Sequence, residues 1–185
     1  MEKLLLSEIA HCLNAECPEE KVITEISTDT RNLPAGCLFI AIKGERFDGH
    51  AFIKQAIENG AAAAVSEYPV DGCPCIVVKN TRTALLKLAK YYRSKFNPVL
   101  VGITGSVGKT TTKEMIALVL SEKYKTLKTQ GNLNNEIGLP KTLFNLDSSY
   151  QAAVIEMGMS DFGEIERLSN TAVPTIGVIT NIFPY

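Results

Sequence analysis

One stretch constrains this chain more than any other: Val99-Leu100-Val101-Gly102-Ile103-Thr104-Gly105-Ser106-Val107-Gly108-Lys109-Thr110-Thr111-Thr112. An apolar, β-branched run stops at a loop of small residues, and a helix-like pattern over Lys113 to Leu120 starts directly behind Lys109. Strand, Gly-rich loop and helix in that order form the context of a phosphate-binding P-loop. Glycines let the backbone curl so that successive N–H groups converge on an anion, and the helix N-terminus adds partial positive charge. Thr104, Gly105, Ser106, Val107, Gly108, Lys109, Thr110 and Thr111 are therefore the nucleotide-phosphate candidates. Lys109 brings a full charge, and the Thr110 hydroxyl is placed for the Mg2+ that accompanies phosphates. The strict G-x-x-x-x-G-K-[ST] pattern asks for glycine at position 103, where the chain has Ile103.

Strand patterns alternate with helix patterns along the rest of the chain, so the expected class is α/β with mostly parallel, doubly wound sheet. Leu5, Ile9 and Leu13 mark a first helix behind a Ser7 cap. Val22–Ile26, Cys37–Ile42, Ala61–Val65 and Cys75–Val78 read as strands, with a helix from Phe52 that stops at Asn59-Gly60. These form a small α/β domain over residues 1–80; residues 81–97 form a linker helix, and residues 98–185 a P-loop domain that begins after Asn97-Pro98. In the second part, Lys125–Thr129, Ala152–Ile155 and Thr175–Thr180 read as strands, with helices over Glu136–Phe144 (despite Gly138 and Pro140) and Phe162–Ser169.

Composition narrows the function classes. A 45% hydrophobic and 21% charged chain with net charge −1 has ordinary globular composition and no bulk attraction for nucleic acid. No apolar run approaches the ~18 residues of a membrane span, and the N-terminal run is too short for a signal peptide, so a cytoplasmic location is expected. Five irregularly spaced cysteines, with Cys73-Pro74-Cys75 one residue short of C-x-x-C, read as free thiols.

Glu156 ends an apolar run and precedes Met157-Gly158-Met159. A carboxylate at the mouth of a sheet, beside a P-loop, suits Mg2+. Asn132, Asn134 and Asn135 suit plain loop formation or recognition of sugar and peptide groups. The Ser27-Thr28-Asp29-Thr30-Arg31 cluster is open in the same way: Arg31 fits bidentate phosphate contacts, and a solvated turn explains it too.

With these pieces in place the sequence resembles the Mur ligase family, the ATP-dependent amino-acid ligases of peptidoglycan precursor synthesis. The resemblance is carried by Ile103 to Thr111 and by Thr30-Arg31…Gly36-Cys37-Leu38-Phe39…Gly44…Asp48-Gly49-His50. Gly131-Asn132-Leu133-Asn134-Asn135-Glu136-Ile137-Gly138-Leu139-Pro140 and Glu156-Met157-Gly158-Met159-Ser160 look like the member that adds D-alanyl-D-alanine. The related ligase adding the third peptide residue is the alternative. The resemblance implies ATP and Mg2+ as cofactors, Lys109 and Glu156 as catalytic residues, and Thr110 and Glu156 as metal ligands. It implies UDP-N-acetylmuramoyl-tripeptide and D-alanyl-D-alanine as substrates and a monomer at full length. Ser27, Thr28, Thr30, Arg31, Gly44, Arg46, Asp48, Gly49 and His50 would contact the UDP-sugar, with Asn134 and Asn135 reaching toward it from the central domain.

The family pattern continues past Ile179-Thr180-Asn181-Ile182 toward a metal-binding His, a carbamylated Lys and an amine-binding domain, whereas this sequence runs to Phe183-Pro184-Tyr185. On the resemblance, the 185 residues are a truncated or excerpted part that binds UDP-sugar and nucleotide without turnover. Phosphate release from ATP that depends on both substrates would overturn that expectation.

Overall fold

The computed structural model describes residues 1–44 and 47–183. The chain divides into two units, Met1–Leu88 and Ala89 onward. The helix expected as a linker is a single helix, Thr81–Ser94 (α3), whose first half belongs to one unit and second half to the other.

In the first unit, β1 (Leu4–Leu5) pairs antiparallel with β2 (Val22–Ile23), flanking α1 (Leu6–Leu13). The expected Ser7 cap does not form: Ser7 lies inside the helix, and the Glu8 carboxylate accepts the Leu5 N–H at 3.0 Å instead. A parallel sheet follows, in the order β3 (Ile26–Ser27), β4 (Leu38–Ile40), β5 (Ala63–Ser66) and β6 (Cys75–Val77). A 3-10 turn over Gly49–Phe52 leads into α2 (Ile53–Glu58). Ile53 and Ala56 of α2 bury against Phe39 of β4, Ala64 of β5 and Cys37, which lies just before β4.

In the second unit a parallel sheet runs in the order β10 (Ile176–Ile179), β7 (Val99–Thr104), β9 (Ala152–Glu156) and β8 (Thr126–Lys128). Val101 and Ile103 of β7 and Val154 of β9 pack against α4 (Lys109–Ser121) on one face. Because β side chains alternate, Leu100, Ala153 and Ile155 point to the other face. On that side α6 (Glu164–Ala172) packs on β7 and α5 (Gly138–Leu143) on β9. Both faces are covered, which is the doubly wound arrangement, and it explains why β7 and β9 read as unbroken apolar runs. Tyr92 and Phe96 join this core, Tyr92 donating its hydroxyl proton to the Leu146 carbonyl at 2.7 Å.

Candidate nucleotide-phosphate site

The parallel pairing of β7 and β9 sets Ile103 opposite Glu156 in register. The loop between β7 and α4 and the carboxyl end of β9 therefore open at the same edge of the sheet, where α/β folds hold ligands. Two loop positions require glycine: Gly105 has φ +137° and Gly108 φ +83°. At Gly105 an added Cβ would also lie 2.1 Å from Thr180 Oγ1. Lys109 begins α4, and its Nζ folds back over the loop to donate to the carbonyls of Gly105 at 2.7 Å and Ser106 at 3.4 Å. The exit of β10 braces the loop from the far side. Asn181 accepts the Val107 N–H on Oδ1 at 3.0 Å and the Ser106 N–H on its carbonyl at 3.1 Å, and Thr180 Oγ1 donates to Val107 O at 2.6 Å.

Thr110 and Glu156, named separately from the sequence, meet here. Thr110 Oγ1 donates to Glu156 Oε2 at 3.0 Å, while Asn134 Nδ2 donates to Oε1 at 2.9 Å. The Glu156 main-chain N–H is held by Thr129 Oγ1 at 2.9 Å, and its side chain is 3% exposed. Two hard oxygens beside this glycine-bearing loop are a donor set that suits Mg2+, an ion usually bound through one or two protein oxygens with water or phosphate oxygens completing its shell. Among the described residues there is no group of three His, Cys, Asp or Glu that could hold a metal by itself.

The profile of the Mur ligase middle domain matches residues 103–184, and that of the "Mur ligase family, catalytic domain" matches residues 22–93. The chain belongs to the Mur ligase family. It is 48% identical over 168 residues to the UDP-N-acetylmuramoyl-tripeptide–D-alanyl-D-alanine ligase of Synechocystis sp., covering 89% of this chain and 37% of that one. The solved structure of the UDP-N-acetylmuramoylalanyl-D-glutamyl-2,6-diaminopimelate–D-alanyl-D-alanyl ligase of Acinetobacter baumannii superposes with a TM-score of 0.94 at 37% identity, over 100% of this chain and 43% of that one. The MurF ligase of Thermotoga maritima, solved in complex with ADP, superposes with a TM-score of 0.79 at 38% identity, over 85% of this chain and 37% of that one. The chain thus spans about two fifths of the length of these relatives.

The other residues read from the Mur ligase resemblance fall mostly in the first unit, at the carboxyl ends of β3 and β4. Ser27 Oγ accepts the Asp29 N–H at 3.1 Å, and Asp29 accepts the Arg31 N–H at 3.0 Å and pairs with its guanidinium, 88% exposed. Thr28 and Thr30 lie in this same turn. Gly44 donates its N–H to Phe47 O at 2.9 Å; Arg46 lies outside the described residues. Asp48 caps the 3-10 turn, accepting the His50 N–H at 3.0 Å, and this bond together with that from the His50 ring holds its carboxyl below the usual range. Gly49 has no room for a side chain: a Cβ would sit 2.8 Å from Ile42 N and O. His50 is buried, with Nε2 accepting the Glu67 N–H at 3.0 Å and Nδ1 against Asp48 at 2.5 Å. That pairing places the ring proton on Nδ1. Asn135 Oδ1 accepts the N–H groups of Ile137 at 3.1 Å and Gly138 at 2.8 Å at the start of α5.

Sequence reasoning did not single out Lys113, Thr129, Thr180 or Asn181. For Lys113 a signal existed: it shares an i, i+4, i+7 stripe with Ala117 and Leu120, which places a lysine on the buried side of α4.

Proposed function

We propose that this chain is the UDP-sugar-binding and phosphate-binding portion of a cytoplasmic, monomeric ligase that joins D-alanyl-D-alanine to UDP-N-acetylmuramoyl-tripeptide at the expense of ATP. The observation that carries the reading is the Thr110–Glu156 pair at the head of the P-loop helix, in a chain of this family. In that reaction the tripeptide carboxylate oxygen bonds to the γ-phosphorus of ATP as the bond to the β-phosphate oxygen breaks, releasing ADP. The D-alanyl-D-alanine amine then attacks the acyl carbon, loses its proton and displaces phosphate.

Each residue has a defined part. Lys109 faces the outer phosphates and offsets charge on the transferring group, while the first-turn N–H groups of α4, which have no partner within the helix, take phosphate oxygens. Thr110 Oγ1 and Glu156 hold Mg2+, which supplies Lewis-acid charge stabilisation to the phosphates. In the first unit the loops after β3 and β4 take the UDP-sugar. Arg31 offers its guanidinium fork to the diphosphate, Ser27, Thr28 and Thr30 offer hydroxyl groups, and Gly44, its N–H bonded to Phe47 O, shapes the loop. His50, with both ring nitrogens engaged, acts by fixing the Asp48-Gly49 loop.

The test is calorimetric titration of the chain with ATP in the presence of Mg2+. The wild type binds, and Lys109→Ala lowers affinity at least tenfold, which corresponds to about 1.4 kcal/mol. Equal binding by the two proteins refutes the assignment of Lys109.

A further inference from the structure

Lys113 is a buried charge that the reaction above leaves without a task. Its side chain is 2% exposed, and an ammonium is costly to bury unless it is paired. Its partners indicate what the charge is for. Nζ donates to the Thr129 carbonyl at 2.9 Å, and lies 3.1 Å from Glu114 Oε1 and 3.9 Å from Glu156 Oε2. A neutral donor could satisfy the Thr129 carbonyl, so the charge answers the carboxylates. Glu114 is half-exposed and is also paired with Lys128. Glu156 is buried and otherwise receives neutral donors from Thr110 and Asn134. Among the described residues, Lys113 is the one cation within 4 Å of Glu156.

That arrangement has a consequence for a metal. An ammonium beside the carboxylate that takes Mg2+ repels a divalent ion by the same Coulomb interaction that steadies the carboxylate. Independently, the ligands read here are Thr110 Oγ1 and Glu156, and among the described residues no group of three His, Cys, Asp or Glu could hold a metal by itself, so few protein oxygens are at hand to strip a strongly hydrated ion. Polyphosphate reverses both conditions, since it supplies oxygens and brings negative charge that Lys113 and Lys109 attract.

We propose that Lys113 is a built-in counter-cation that keeps the Thr110–Glu156 pair from taking a divalent metal alone, so that metal and nucleotide phosphates load together. Lys113 is a positioning residue that acts through Glu156. This inference rests on the reading of Thr110 and Glu156 as metal ligands beside a phosphate loop.

Lys113→Met keeps the length and apolar stem of the side chain and removes the charge. Two measurements on the 185-residue chain decide the matter: Mn2+ binding without nucleotide, by electron paramagnetic resonance, and ADP binding in EDTA, by calorimetry. The variant is expected to bind Mn2+ alone roughly tenfold more tightly and metal-free ADP several-fold more weakly than wild type. A lysine that only holds the fold together would weaken both. Mn2+ binding that is unchanged or weaker overturns the proposal. If circular dichroism shows that Lys113→Met does not fold, Lys113→Gln, which retains a donor for the Thr129 carbonyl, decides by the same comparison. A wild-type chain that fails to bind Mg2+-ADP overturns the proposed function and this inference together; a binding wild type with an indifferent variant overturns the inference alone.

Discussion

Gly158 is where a single methyl group should disconnect Asn134 from Glu156. The Gly158 N–H donates to the Asn134 carbonyl at 2.8 Å, which presses the two residues together. An ideal Cβ on Gly158 lies 3.1 Å from Asn134 Cγ and Oδ1 and 3.2 Å from Nδ2, the nitrogen that donates to Glu156 at 2.9 Å. Its backbone is outside the left-handed region, so alanine adds no torsional strain and the cost is the contact itself. The amide must retreat by a few tenths of an ångström, which weakens a hydrogen bond to a carboxylate contributing about 1.5–3 kcal/mol. Gly158→Ala should therefore destabilise the second unit by about 1–2 kcal/mol, or a few degrees in Tm, and Asn134→Ala by about as much or more. The decisive quantity is the coupling. Asn134→Ala removes the three atoms that the new methyl would meet, so Gly158→Ala becomes nearly silent in that background and the cycle leaves about 1–2 kcal/mol of interaction energy. Calorimetric unfolding of the four proteins measures it, following the transition that carries residues 89–183. Gly177→Ala is the control, because nothing lies within 4 Å of its Cβ and its φ is ordinary. Effects that add within about 0.5 kcal/mol would refute the latch between Asn134 and Glu156.

Two further outcomes follow from buried groups. Tyr92→Phe keeps the edge contacts to Phe96 and Phe144 but removes the donor to the Leu146 carbonyl, so the same calorimetry should show a loss of about 1–2 kcal/mol. An unchanged Tm would mean that the carbonyl finds another donor. Burial, with Glu25 adding to it, pushes the Cys37 thiol up to about 11, whereas Cys17 is exposed. Alkylation at pH 8 read by peptide mass spectrometry should label Cys17 promptly and Cys37 only on unfolding. Equal rates would contradict the packing of Cys37 against α2.

The strands were legible because a parallel sheet covered on both faces imposes a local signature, as in Val99–Thr104 and Ala152–Glu156. Helix ends were less so, since caps depend on which partner arrives. Asn135 takes the N–H groups of Ile137 and Gly138, so α5 begins at Gly138 and leaves Glu136 outside. Pro140 is then in the first turn, where its missing N–H would have had no helical partner. Thr110 and Glu156 could be named separately because each sits at a recognisable end of an element. What joins them could not be read. Thr129 reaches Glu156, and Lys113 reaches Thr129, because β8 lies beside β9 in the sheet order, and that adjacency has no imprint in either segment. His50 is a parallel case: its partner Glu67 lies seventeen residues on, beyond a whole helix and strand.

The departure at position 103 can now be explained physically. In the strict pattern a first glycine opens the loop, but here β7 continues through Thr104, and Ile103 is a fully buried strand residue packed with Val101, Ala117 and Val154. The positive-φ positions that turn the chain fall at Gly105 and Gly108, so glycine at 103 would remove core packing without easing the turn. The extra strand length also has a use. The Ile103 carbonyl accepts the Met157 N–H at 2.8 Å, which continues the β7–β9 ladder one residue past Glu156 and fixes that residue's main chain from the β7 side. Thr129 fixes it from the β8 side. Glycine would keep that Ile103 carbonyl, as Gly102 within β7 shows, but at 103 it would lose the packing on Val101, Ala117 and Val154 that steadies this end of the strand and with it the hold on Glu156. On this geometry the isoleucine at 103 is part of what places a carboxylate within 3.0 Å of Thr110.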